Sequence, residues 1–132
     1  MARGTVLVVE DDPAIIKLLQ INFEIDGYDV ISAEDGDEGL LRARKEHPDA
    51  IILDVMMPGV NGLDVAAGLR ARKDTRNIPI ILLSARAQAS DVAAGRNVAD
   101  RYITKPFDPL ELLDLVAGIL RDRPADRLAN SD

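Results

Sequence analysis

The sequence predicts an α/β fold: a doubly wound, five-stranded parallel sheet with helices on both faces. Three observations point to it. Short β-branched and aliphatic runs alternate five times with stretches of helical periodicity along 132 residues, a pattern that calls for crossover connections between parallel strands. The runs Ala50–Leu53 and Ile78–Leu83 are continuously apolar, as in strands covered on both sides. Charged and hydroxyl residues follow the runs instead of interrupting them. Right-handed crossovers leave few topologies. The order 2-1-3-4-5 is one of the two common doubly wound orders, and it sets the carboxyl ends of strands 1 and 3 beside one crevice.

Thr5–Val9 is the first strand; it ends in Glu10-Asp11-Asp12 before Pro13. Proline suits a first helical turn, and carboxylates favour a helix N-terminus. Ile15, Leu18, Leu19 and Phe23 follow helical spacing until Asp26-Gly27 stops the helix. Tyr28–Ser32 alternates as the second strand. Asp35-Gly36-Asp37-Glu38 opens a second helix with Leu40, Leu41 and Ala43, basic at its end before Pro48. The third strand, Ala50–Leu53, delivers Asp54 and then breaks at the turn pair Pro58-Gly59. Asn61 caps a third helix through Leu63, Ala66, Ala67 and Leu69, whose basic end Arg70–Lys73 suits the helix dipole. Ile78–Leu83 is the fourth strand and runs into Ser84-Ala85. A weak, alanine-rich helix from Ala87 to about Asn97 precedes a short fifth strand, Arg101–Thr104, and then Lys105-Pro106-Phe107. Asp108-Pro109 starts a last helix with Leu110, Leu113, Ala117 and Leu120 on one face. Residues 1–122 are expected to form one domain and 123–132 a frayed polar tail.

Composition narrows the function. A chain 47% hydrophobic and 30% charged, with apolar stretches too short to span a bilayer, fits a soluble globular protein with no membrane partner. A net charge of −7 argues against non-specific binding to nucleic acid or anionic lipid. Aromatics at 3% leave few platforms for stacking bases. The absence of cysteine excludes disulfides, thiolate zinc sites and thiol catalysis. Met1–Gly4 lacks the apolar region and cleavage site of a signal peptide, so a cytoplasmic address is expected.

In a parallel sheet every strand ends on the same edge. That edge would collect Glu10, Asp11 and Asp12 from strand 1, Asp54 from strand 3, Ser84 from strand 4 and Lys105 from strand 5. Singly, each has a plain explanation as a cap, a turn residue or a solvated charge. Together they are harder to dismiss. Clustered carboxylates repel, so they hold protons or a cation. Magnesium takes hard oxygens, commonly one or two carboxylates plus a phosphate. His47, before Pro48 at the far end of strand 3, reads as a loop residue. An aspartate can also act as a nucleophile and form an aspartyl phosphate. Phosphoryl transfer spreads charge over three oxygens and needs mainly positioning and cations. Magnesium, Lys105 and the Ser84 hydroxyl would supply these, so Asp54 reads as a carboxylate that receives phosphate.

Four motifs carry a family resemblance: Val8-Val9-Glu10-Asp11-Asp12; Leu53-Asp54-Val55-Met56-Met57-Pro58-Gly59 with Asn61-Gly62; Leu83-Ser84-Ala85; and Tyr102-Ile103-Thr104-Lys105-Pro106-Phe107. In this order and spacing, residues 4 to 121 resemble the receiver domain of bacterial two-component response regulators, of the chemotaxis-regulator type. That family has the flavodoxin-like fold, so the strand order above rests partly on the resemblance. The resemblance implies that Asp54 is the phosphoacceptor. It also implies a magnesium ion, with manganese as an alternative, held by the Asp11 and Asp54 side chains and the Met56 backbone carbonyl, with Glu10 acting through water. Lys105 would pair with the phosphoryl group, and its bond to Pro106 is often cis in the family. Ser84 would turn toward the phosphate, and Tyr102 would be the aromatic switch. Asp12, outside the matched acidic pair, is an outer neighbour of the pocket or part of the helix start.

The implied function is a signalling switch. A sensor histidine kinase or histidine phosphotransfer protein donates phosphate, and the face made by the fourth helix, fifth strand and last helix changes. That face would meet a downstream protein target, an output domain or a second copy of the chain, with no direct nucleic-acid contact. The protein would catalyse only its own phosphorylation and slow self-dephosphorylation. Two departures from the family stand out. Val98-Ala99-Asp100 replaces the usual Gly-Ala-Asp and leaves the stretch from Ser84 to Lys105 one residue short, so an irregular fourth helix or exit is expected. Asp114-Leu115 stands where the winged-helix branch usually has an arginine, which weakens a transfer of that branch's charged dimer face. The chain after Leu120 is expected to be too short for an output domain. A phosphatase of the related aspartyl-phosphate class would need a second aspartate where Met56 stands. A phosphorylation-independent interaction module would not need the intact acceptor, acids, hydroxyl and lysine.

Overall fold

Alternation within the strands builds a core on each side of the sheet. Val6 and Val8 serve one side and Leu7 and Val9 the other, all with 1% or less of their surface exposed. A computed structural model of the chain describes residues 3–57, 61–85 and 99–122. Its strands are β1 (Thr5–Val9), β2 (Asp29–Ala33), β3 (Ala50–Asp54), β4 (Ile80–Ser84) and β5 (Arg101–Thr104). Its helices among those residues are α1 (Pro13–Ile25), α2 (Gly36–Glu46), α3 (Gly62–Arg70) and α4 (Pro109–Arg121). All strand pairs are parallel, and the sheet order is β2-β1-β3-β4-β5, the flavodoxin-like order expected. Strands β3 and β4 are buried along their whole length, and β2 and β5 form the two edges. The helix expected over Ala87–Asn97, its exit and the polar tail lie outside the described residues.

Helices α1 and α4 cover one face. Ile16, Leu19 and Phe23 meet Leu112, Leu113 and Val116 over Val6, Val8, Ile52, Ile81 and Leu83. Helices α2 and α3 cover the other: Ala43, Val65, Ala66 and Leu69 pack on Leu7, Val9, Ile51, Leu53, Ile80 and Leu82. The helix starts follow the sequence. Asp12, Asp35, Asn61 and Asp108 each accept a backbone N–H from the first turn of the helix they cap.

The structure corrects several details. The buried stripe of α4 is Leu112, Leu113 and Val116, whereas the expected Leu110 is 63% exposed. Leu18 and Leu41 also face outward. Strand β4 starts two residues later than expected, because Pro79 has no N–H and the N–H of Ile78 donates to the Thr75 carbonyl instead. Strand β2 begins at Asp29, one residue late, since the Tyr28 N–H closes the end of α1 on the Phe23 carbonyl. Arg70 does more than complement a helix dipole. Its guanidinium donates to the carbonyls of Arg76 and Ile78 and pairs with Asp100 at 2.9 Å, which itself accepts the Ile80 N–H. One arginine thereby ties the exit of α3 to the entrances of β4 and β5.

His47 closes α2 in the left-handed region (φ 48°), donating its N–H to the Ala43 carbonyl. A side chain with a Cβ is disfavoured there, and glycine is the residue that position prefers. His47→Gly is therefore expected to raise stability by about 0.5–1 kcal/mol, read as a higher denaturation midpoint at unchanged slope.

Candidate functional site

The carboxyl edge of the sheet assembles the site by register. Val9 pairs with Leu53, so the next residues, Glu10 and Asp54, emerge side by side; Asp54 pairs with Leu83, and Ser84 with Thr104. Glu10, Asp54 and Ser84 are almost wholly buried, with 1–2% of their surface exposed. Asp11 is exposed above them. One carboxylate oxygen from each of Glu10, Asp11 and Asp54 can be chosen so that all three lie within 4.8 Å of one another. Lys105, the residue after β5, donates its own N–H to the Ser84 carbonyl at 2.7 Å. Its Nζ stands 3.1 Å from Glu10 Oε1 and 3.3 Å from Asp54 Oδ1. The Lys105–Pro106 peptide is cis.

Backbone donors complete the pocket. The Asp12 N–H donates to Glu10 Oε2 at 3.1 Å, and the Met56 N–H to Asp54 Oδ1 at 3.2 Å. Burial pushes the Glu10 carboxyl up from its ordinary 4.5 to about 7; the Asp12 N–H opposes this, the Asp54 charge adds to it, and Lys105 offsets part. For Lys105, burial works against the charge, but the hydrogen bond to Glu10 and the charges of Asp54 and Glu10 outweigh it and raise its pKa. Among the described residues, the Lys105 ammonium pairs with two carboxylates, Glu10 and Asp54, of a cluster that has three. That donor set, all oxygen and short of positive charge, suits a hard divalent cation.

The sequence-predicted residues fall into three groups. Glu10, Asp11, Asp54 and Lys105 come together. Ser84 reaches the same edge on β4, next to Asp54 across the sheet. Tyr102 stands lower on β5, opposite Leu82, half-buried against the α2–α3 core. Met56, two residues after Asp54, is 48% exposed, and Asp12 is the cap of α1. His47 is far from the site, at the end of α2.

Comparison with known proteins matches residues 6–117 to the response regulator receiver domain. The chain belongs to that family. This receiver is 46% identical over 117 residues to the alkaline phosphatase synthesis transcriptional regulatory protein PhoP of Bacillus subtilis, a match covering 88% of this chain and 48% of PhoP. The receiver spans about half the length of such curated relatives. Among solved structures it resembles the chemotaxis protein CheY4 of Vibrio cholerae (TM-score 0.83, 32% identity, 90% of this chain and 98% of that one). It also resembles the receiver domain of a sensor histidine kinase from Pseudomonas aeruginosa PAO1, described with a magnesium ion coordinated in its active-site cleft (TM-score 0.83, 28% identity, 92% and 100% covered). No helix among the described residues is long and apolar enough to cross a membrane.

Proposed function

We propose that this receiver accepts a phosphoryl group on Asp54 from a histidine kinase or histidine phosphotransfer protein and uses the added charge to change a protein-binding face. The observation that carries this reading is the placement of a buried Asp54 carboxylate against the Lys105 ammonium, within one cluster with Glu10 and Asp11. An Asp54 oxygen attacks phosphorus; the new O–P bond forms as the donor's P–N bond breaks, and the imidazole leaves with the electron pair. Lys105 holds positive charge where the phosphoryl oxygens gather it. The Asp11 and Asp54 carboxylates and the Met56 carbonyl would hold magnesium or manganese, with Glu10 acting through water. When bound, the ion neutralises charge on the phosphoryl group. Ser84 would donate to a phosphoryl oxygen, and Tyr102 would follow it by moving on β5. That assigns the responsive face to β5, α4 and the helix expected over Ala87–Asn97, the last outside the described residues. The face would meet a downstream target, an output domain or a second copy.

In this reading residues 1–122 are the receiver and 123–132 a polar tail, and the protein works in the cytoplasm. It acts on itself alone, through its own phosphorylation and slow self-dephosphorylation. PhoP is a transcriptional regulator by name, but this chain covers only 48% of it. The receiver itself is assigned no direct contact with nucleic acid.

Intact mass spectrometry tests the assignment. With a small acyl phosphate and magnesium, the wild-type protein should gain one phosphoryl group, Asp54→Asn none, and the wild-type protein with chelator little. Equal labelling of wild type and Asp54→Asn, or full labelling under chelation, would refute it.

A further inference from the structure

We propose that Gly62 is a positioning residue for the phosphoacceptor turn, because its bare Cα lets α3 seat its first residue directly on the Asp54–Val55 backbone. The inference rests on the reading of Asp54 and Met56 given above.

Glycine is the poorest helix former after proline, and α3 does not require it as a cap. Asn61 already accepts the Leu63 N–H at 2.8 Å. What glycine provides here is room. A Cβ at Gly62 would overlap the Asp54 carbonyl oxygen and would lie 2.7 Å from Val55 Cα and 2.9 Å from the Asp54 carbonyl carbon. All three atoms are backbone, at the end of a strand whose Ile52 and Leu53 are fully buried in opposite cores, so β3 cannot retreat. The helix would have to move instead. Its movement would drag the Gly62 N–H away from the Val55 carbonyl, which it now meets at 2.9 Å. Val55 is held on its other side by donation to the Leu83 carbonyl at 2.9 Å, and the next N–H, of Met56, is the one that holds Asp54 Oδ1. Gly62 therefore fixes the path on which both the acceptor carboxylate and the Met56 carbonyl stand.

The other glycines mark the contrast. At Gly39 a Cβ would press on the Val9 methyl carbons at 2.9 Å, which are side-chain atoms. At Gly68, in the same helix as Gly62, it would make an ordinary 3.4 Å contact with Leu40.

The test compares Gly62→Ala with Gly68→Ala. Magnesium titrations followed by thermal unfolding separate fold from site: the metal-free midpoint reports the fold, and the magnesium concentration that raises it reports the site. Gly62→Ala should need about tenfold more magnesium or greater, as when a ligand's supporting contact is removed, while Gly68→Ala needs the wild-type amount. Phosphorylation by the acyl phosphate should slow in parallel. An unchanged magnesium requirement and rate in a folded Gly62→Ala would overturn the inference. If Gly62→Ala does not fold, ¹⁵N spectra of the wild-type protein decide. The Gly62 amide should shift on magnesium addition with the midpoint of the thermal titration, and the Gly68 amide should not; a silent Gly62 amide would overturn the inference. A wild-type protein that neither binds magnesium nor takes phosphate would instead refute the functional reading itself.

Discussion

Replacing Lys105 with methionine is expected to slow phosphorylation of Asp54 by about 10²–10³-fold, the usual effect of removing one preorganised charge from a transition state. The same change should tighten magnesium binding. These effects run in opposite directions because one charge serves two purposes. In the resting site the ammonium lies 3.1 Å from Glu10 and 3.3 Å from Asp54 and partly neutralises both. Removing it leaves the carboxylates more attractive to a divalent cation and strips positive charge from the phosphoryl group. Methionine keeps an apolar stem of similar length, so the four-fifths of the lysine side chain that is buried stays largely filled. Thermal titration with magnesium and a time course of intact mass would read the two effects separately. A variant that loses both metal binding and phosphorylation would show Lys105 to be structural, and one that keeps the wild-type rate would remove it from the chemistry.

In chelator, the protein should lose stability as pH rises from about 5 to about 7. Glu10 is the reason. Its folded-state pKa of about 7 lies above the 4.5 of an ordinary glutamate, so the folded form holds the proton more tightly than the unfolded chain. The stabilising contribution is complete below the unfolded value and disappears as pH passes through the folded one. The loss should be on the order of 2 kcal/mol. Glu10→Gln should flatten the profile, and magnesium should reverse the loss at neutral pH by supplying the missing positive charge. Denaturant midpoints at several pH values, with and without chelator, would measure this. A flat wild-type profile, or one unchanged in Glu10→Gln, would place the titration elsewhere.

Much of the fold was legible because its signals are local. The runs at Thr5, Ala50 and Ile78 could be little other than covered strands, and the residues after them had to share one edge of a parallel sheet. Helix starts at Asp12, Asp35, Asn61 and Asp108 were equally plain. Helix faces were less so. In α4, Leu110, Leu113, Ala117 and Leu120 satisfy helical spacing, but the packed stripe is Leu112, Leu113 and Val116, roughly a quarter-turn away. An aliphatic-rich helix offers more than one apolar stripe, and the sheet and the neighbouring α1 select between them. The site's membership followed from strand ends, but its electrostatics did not. That Lys105 rests on Glu10 as well as Asp54 is a through-space distance with no trace in sequence spacing. Gly62 was visible as part of a motif, yet its close approach to Asp54 depends on where α3 docks.

The two edges of the sheet bear on a different property, the tendency to aggregate. An edge strand presents unpaired backbone groups to any other chain with a free strand, and long, flat, apolar edges recruit partners. Here β5 is only four residues long and begins at exposed Arg101, and β2 begins at exposed Asp29. The more apolar strands β1, β3 and β4 are each paired on both sides. The segments best suited to intermolecular stacking are therefore locked in the interior, and each strand at the margins opens on an exposed charge. The proposed switch would meet partners through its surface, and the fold keeps its most adhesive backbone away from that surface.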